Sequence, residues 1–198
     1  MCKSDFSNLD LKVKKTLCNK VLNYAMRSLW LDAINIEFRS MSFFITQNSD
    51  AVFMKDNYTI LINEHWLEEV GIAELTATIL HETRHAYQCA QVEFYDFMQY
   101  QEPREKVELW RRELENYVPT SGEEHNDILY MKQNVEIDAV AHEIKMMKDL
   151  LNIDLIPHEL IAEEVVKVNI VINKESIHWK SIIYSFLFWP NIYKHIVV

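Results

Sequence analysis

Glycine is nearly missing from this chain. Gly71 and Gly122 are the two in 198 residues, where average usage of about 7% gives roughly fourteen. Two isolated glycines cannot build a G-x-G-x-x-G turn or a G-x-x-x-x-G-K loop, since both need several glycines for the backbone to approach phosphate. Rossmann and P-loop nucleotide binding are excluded on that ground. Four prolines and no Gly/Ser tract exclude collagen-like, linker and low-complexity classes. Cysteine is scarce too. Cys2, Cys18 and Cys89 are odd in number and lack C-x-x-C spacing, so they cannot complete a disulfide framework, which fits a reducing compartment. No long basic run exists, and 20 Lys plus Arg against 30 Asp plus Glu leave a net charge of −10. Nucleic-acid affinity rests on cations that neutralise phosphates, so that partner class is excluded as the primary one.

Long hydrophobic runs are also lacking. The N-terminus has no apolar core of a secretory signal. The longest apolar stretch, Ser181 to Tyr193, is broken by Pro190 and falls short of the ~20 residues of a transmembrane helix. The expectation is a cytoplasmic protein without stable membrane insertion, its tail packing on the core. Apolar residues make up 49% and charged residues 25%, an ordinary globular composition. One domain over 1–198 is expected, with a sheet-containing lobe to about residue 90 and a helical lobe beyond it.

Apolar periodicity predicts a helix over 9–31. Strands are expected at Asn35–Phe38, Ser42–Thr46, Ala51–Met54 and Tyr58–Asn63, the last two as a hairpin, with 47–50 as a turn. From there the pattern is helical: a short helix at Glu64–Val70, a break at Gly71, and a long helix from Ile72 to about Tyr95. A charged helix follows at Glu105–Val118 behind Pro103, then a loop at Pro119. Another helix runs from Val135 to about Leu151 with Asn134 as its N-cap, and Pro157 opens one through Val168. The fold class is α+β: a small antiparallel or mixed sheet, then mostly helices.

Inside the long helix stands His81-Glu82-Thr83-Arg84-His85. Residues four apart share a helix face, so His81 and His85 can bind one metal ion from one element. Neutral imidazoles suit zinc. Glu82 lies about 100° round from His81, beside the metal, where a carboxylate can take a proton from a water that zinc has acidified. The apolar flanks Ile79, Leu80, Ala86 and Tyr87 predict burial of this segment. Catalytic zinc usually takes three protein ligands and keeps a position open. The candidates for the third are Glu136 first, then Asp138 and His142, with His125 behind them. Ala139 and Ala141 are small and would let that helix approach closely.

These motifs resemble a family. A strand ending in Ile62-Asn63, a short helix, Thr78-Ile79-Leu80-His81-Glu82, His85-Ala86 and then Glu136-x-Asp138-Ala139 are similar to gluzincin-type zinc metallopeptidases, the minigluzincins and ImmA/IrrE-like peptidases among them. The likeness runs over about residues 44–144. The chain departs from the ImmA/IrrE pattern at Arg84, where Gly is common, and at Val140, where Asn is common. The resemblance implies a zincin-like fold, zinc on His81, His85 and Glu136, and Glu82 as general base. It also implies a peptide or protein substrate held along an edge strand, for which Ala51–Met54 is the candidate. The alternative is a catalytically weak or inactive scaffold acting through protein contacts. Asp138 and Gln88 are candidates for orienting the ligands, and Arg84 is expected to pair with a structural acid. Tyr130 and His142 are weak candidates for stabilising an oxyanion.

Overall fold

The computed structural model describes residues 9–44, 49–121 and 123–175. The apolar tail, and with it the expectation that this segment packs on the core, lies outside the described residues, as does Cys2.

Helix α1, Leu11–Leu29, starts where the Asp10 side chain accepts from the Lys12 N–H at 2.7 Å. It buries Lys14, Cys18, Leu22, Ala25 and Leu29, one stripe at three- and four-residue spacing. Strand β1 is Asn35–Arg39, β2 is Ala51–Met54 and β3 is Thr59–Asn63. The sheet order is β1-β3-β2. β3 pairs parallel with β1 and antiparallel with β2, so the sheet is mixed. All five residues of β3 are buried, as a central strand requires. The strand expected at Ser42–Thr46 is not formed in its described part. Met41–Phe43 is a 3-10 turn, and Thr46 lies outside the described residues.

Helix α2, Glu64–Glu69, follows β3 directly, with the Asn63 side chain accepting from the His65 N–H. Lys14 on α1 is fully buried, and its ammonium donates to the carbonyls of Leu67 and Glu68 at 3.0 and 2.5 Å. A cation on the last carbonyls of α2 is favourable there. Helix α3, Ile72–Glu93, is the central element and is buried on most sides, polar Thr83, Arg84, Gln88 and Gln91 included. It packs against α1, β2, α4 (Arg104–Glu115) and α6 (Asn134–Leu151). Helix α5, Glu124–Met131, had no expectation of its own. Helix α7, Ala162–Glu175, starts five residues beyond Pro157, behind a 3-10 turn at Glu159–Ile161 in which His158 accepts from the Leu160 N–H.

The scarcity of glycine has a structural counterpart. Left-handed backbone is carried by Trp30 (φ 56°), Tyr58 (φ 48°) and Asn152 (φ 53°). Trp30 and Asn152 end α1 and α6, and Tyr58 leads into β3. These are positions where glycine would avoid a cost of about 1–2 kcal/mol each. Gly71, at φ −81° and ψ 157°, adopts backbone open to any residue.

The start of α6 corrects one expectation. Asn134 is the first helical residue and Gln133 precedes it without a side-chain cap bond. Glu113 of α4 does the capping: one carboxylate oxygen accepts from the Val135 N–H at 3.0 Å, the other from the Asn134 amide at 2.7 Å. An anion at an N-terminus satisfies an orphan donor and meets the helix dipole. Of the two small residues expected to let α6 approach α3, Ala141 packs instead with Ile137, Ile161 and Val165, towards α7.

Candidate metal centre

Helices α3 and α6 meet over one cluster. His81 and His85 extend from α3, and Glu136 extends from the first turn of α6. One ligand-capable atom from each lies within 4.8 Å of the others. The two imidazole Nε2 atoms are 3.1 Å apart. His81 Nε2 is 3.3 Å from Glu136 Oε2, and His85 Nε2 is 3.4 Å from Glu136 Oε1. Glu136 is 2% exposed, and its Oε2 is buried with no hydrogen-bond partner among the described residues. Of the candidates for a third ligand, Glu136 is the one brought to the pair. Asp138 and His142 are buried elsewhere, and His125 is exposed.

The outward nitrogens of both rings are also held. His81 Nδ1 stands 3.3 Å from Glu143 Oε2, and His85 Nδ1 stands 2.9 Å from Gln88 Oε1. Each ring is thereby oriented with Nε2 towards Glu136, the usual arrangement around metal-binding histidines. Gln88 meets its expectation, while Asp138 does not hold a histidine. Glu143 does so for His81, and the signal for it was in the sequence: it follows Glu136 by seven residues, two helical turns. Burial opposes a positive charge on His81, but the carboxylates of Glu136 and Glu143, each 3.3 Å from a ring nitrogen, outweigh it and raise its pKa well above the ordinary value. Burial likewise opposes ionisation of Glu136, and the two histidines overcome it to hold its carboxyl well below the ordinary range.

Asp138 instead anchors a buried ionic network. It accepts from Arg84 Nε at 2.7 Å and Nη2 at 3.1 Å, from Gln88 at 3.0 Å, and pairs with Lys106 at 3.0 Å. Arg84 also reaches Glu102 at 3.2 Å and stacks on Tyr87, 4.5 Å from the ring centre. The expected structural acid for Arg84 is therefore Asp138, with Glu102. Gln88 links this network to the histidine pair, because its Oε1 faces His85 Nδ1 at 2.9 Å while its amide N–H groups donate to Asp138 and to the Val135 carbonyl at 3.0 and 2.8 Å.

His142 is 5% exposed, with Nε2 lacking a hydrogen bond. Burial, then the charge of Arg84, pushes its pKa well below the ordinary value, Lys145 and Lys106 adding to this and Asp138 opposing it. Below about pH 6.5 the unfolded chain takes up a proton that native His142 refuses, so this residue costs stability as pH falls. His142→Leu is expected to remove that cost. Urea midpoints of wild type and variant between pH 7.5 and 5.5 check it. The stability difference should move towards the variant by about 1 kcal/mol per pH unit below pH 6.5; a constant difference refutes it.

Two tyrosines complete the rim. Tyr117, in the loop after α4, donates to Glu136 Oε1 at 2.7 Å. Tyr130, on α5, meets the Tyr117 ring edge-on at 6.2 Å. Burial, with the nearby charge of Glu136, raises both phenols, so both remain neutral donors. Tyr117 gave no signal in the sequence, because a loop residue 19 positions from its partner follows no period. Glu82 is placed beside β2: its Oε2 accepts from the Phe53 N–H at 2.7 Å.

No family model matches this chain, and neither the curated proteins nor the solved structures contain a match to it. Among the described residues, no helix is long and apolar enough to cross a membrane.

Proposed function

We propose that this chain is a zincin-like, gluzincin-type peptidase that holds zinc on His81, His85 and Glu136 and uses Glu82 as general base. The spacing of the three donors carries the reading. Ligands arranged tetrahedrally at about 2.0–2.1 Å from zinc stand about 3.3–3.4 Å from one another. Here the two imidazole Nε2 atoms are 3.1 Å apart, and His81 and His85 stand 3.3 and 3.4 Å from different oxygens of Glu136; with one atom per residue the three donors lie within 4.8 Å of one another. A buried carboxylate oxygen without a hydrogen bond, Glu136 Oε2, calls for a partner, and a cation among the three donors supplies one. Two imidazoles and a carboxylate form a donor set that leaves one zinc position open, as catalytic sites do.

Zinc bound there supplies a Lewis acid that polarises a carbonyl and acidifies water. The chain's residues do the rest. Glu82, next to His81 in sequence, takes the proton of the attacking water and returns it to the leaving amine. Tyr117 spends its one O–H on Glu136 and steadies that carboxylate; Tyr130, a neutral phenol beside it, is the donor for the oxyanion that develops on the substrate carbonyl. Strand β2, at the edge of the sheet and packed on α3, offers backbone groups to an extended peptide.

Metal analysis of protein expressed in zinc-replete medium is expected to find about one zinc per chain. Glu136→Ala should weaken zinc affinity more than about 100-fold, and Glu143→Gln about 10–100-fold, the usual range for an outer partner. A metal-free protein, or the reverse order of the two variants, overturns the site.

A further inference from the structure

β2 is the sheet's edge beside α3, and its free backbone groups can be assigned. Asp50 accepts from the Asn63 N–H at 2.9 Å, and the antiparallel register pairs Ala51 with Ile62 and Phe53 with Ile60. Hydrogen-bonded and non-hydrogen-bonded pairs alternate along such a ladder. Residues 50, 52 and 54 therefore turn their N–H and C=O groups to β3, and Ala51 and Phe53 turn theirs outward. The outward N–H of Phe53 ends on Glu82 Oε2 at 2.7 Å.

We infer that the Phe53 N–H is a positioning group for Glu82, and that by taking this N–H out of the free edge it sets the register in which a peptide docks on β2. This rests on the peptidase reading above. An N–H to carboxylate bond is charge-assisted and directional. It holds one oxygen of Glu82 on the strand and leaves the other outside that bond, on a carboxylate near enough to His81 and His85 for its charge to act on both. The same bond has a consequence for an extended peptide. In an antiparallel ladder, a peptide residue opposite Phe53 would exchange two hydrogen bonds with it. Its N–H still finds the Phe53 carbonyl. Its carbonyl finds the Phe53 N–H already occupied, and so is left over, beside the base, as the carbonyl to be attacked. The Ala51 N–H and C=O remain to hold the peptide two residues along. The edge thus discriminates among carbonyls of the substrate backbone without reading its side chains, which implies cleavage of extended, unfolded segments that can lie along β2.

Two measurements test this on the zinc-supplemented full chain. The first is amide hydrogen exchange at Phe53 by NMR, which needs no substrate. Phe53 is expected to be protected although it lies outward on an edge strand, and Glu82→Ala to speed its exchange at least tenfold, with Val52 and Met54 changing less. Equal exchange at Phe53 in both proteins overturns the contact. The second replaces the Phe53 amide with a backbone ester, using phenyllactic acid at position 53, and follows hydrolysis of fluorescently labelled casein. The ester removes the N–H and keeps the side chain. The expected result is a fall in kcat of at least tenfold, with KM and zinc content unchanged. Wild-type kcat in the ester overturns the positioning role. A zinc-loaded wild type that cleaves no casein, with Phe53 protection still dependent on Glu82, overturns the peptidase reading and the docking register together while the strand-to-carboxylate contact stands.

Discussion

Glu82→Gln is expected to keep zinc at about one per chain and to lower peptide hydrolysis by about 10²–10⁴-fold, the usual worth of a general base. The substitution changes one atom. The amide oxygen of Gln can still accept from the Phe53 N–H that Glu82 holds at 2.7 Å, so the side chain keeps its place. What it loses is the ability to carry a proton at neutral pH. Zinc should be unaffected, because the converging donors belong to His81, His85 and Glu136. Hydrolysis of labelled casein, measured beside metal content on the same preparation, separates the two effects. Full activity in the variant removes Glu82 from the chemistry. Loss of zinc makes Glu82 a ligand.

The second large effect is expected at Asp138. Asp138→Ala should cost about 3–5 kcal/mol of stability, read from urea unfolding, because it leaves a buried charge unpaired. Arg84 and Asp138 are 5% and 3% exposed in their side chains, and Asp138 is also the partner of Lys106 and Gln88. Truncation strands the Arg84 guanidinium against Glu102 alone, in surroundings where water cannot replace the lost oxygens. Asp138→Asn should cost less, since one oxygen can still accept. A loss below about 1 kcal/mol for the alanine variant would show that Glu102 suffices for Arg84. Gln88, released from Asp138, would still hold His85, so zinc affinity should fall less in Asp138→Ala than in Glu136→Ala. That ordering separates a residue that holds the metal from one that holds the helices which hold it.

His81, Glu82 and His85 were legible because their geometry is local. Four residues make about one helical turn, so the spacing alone puts two imidazoles on one face. The hairpin of β2 and β3 and the long α3 were legible for the same kind of reason, since period and turn residues act over a few positions. Asn134 has the side chain that a cap calls for, but it already lies inside α6, and the Val135 N–H is met by Glu113, 22 residues earlier and on another helix. Asp138 was open between orienting a histidine and standing apart. The choice fell to packing, which set Arg84 of α3 and Lys106 of α4 against it.

The sequence by itself determined the helical periods, the His81–His85 pair and the classes of function that two glycines and ten net negative charges exclude. Each depends on chemistry within a turn or two of chain, or on composition alone. Only the tertiary structure decided that Glu136 rather than Asp138 or His142 meets the two histidines, that Glu143 turns the ring of His81, and that a backbone N–H of β2 grips Glu82. The last two pairs stand 62 and 29 residues apart along the chain. Nothing in a local pattern selects among carboxylates on one helix; the rotation and approach of α6 against α3 do, through burial that only the packed core enforces.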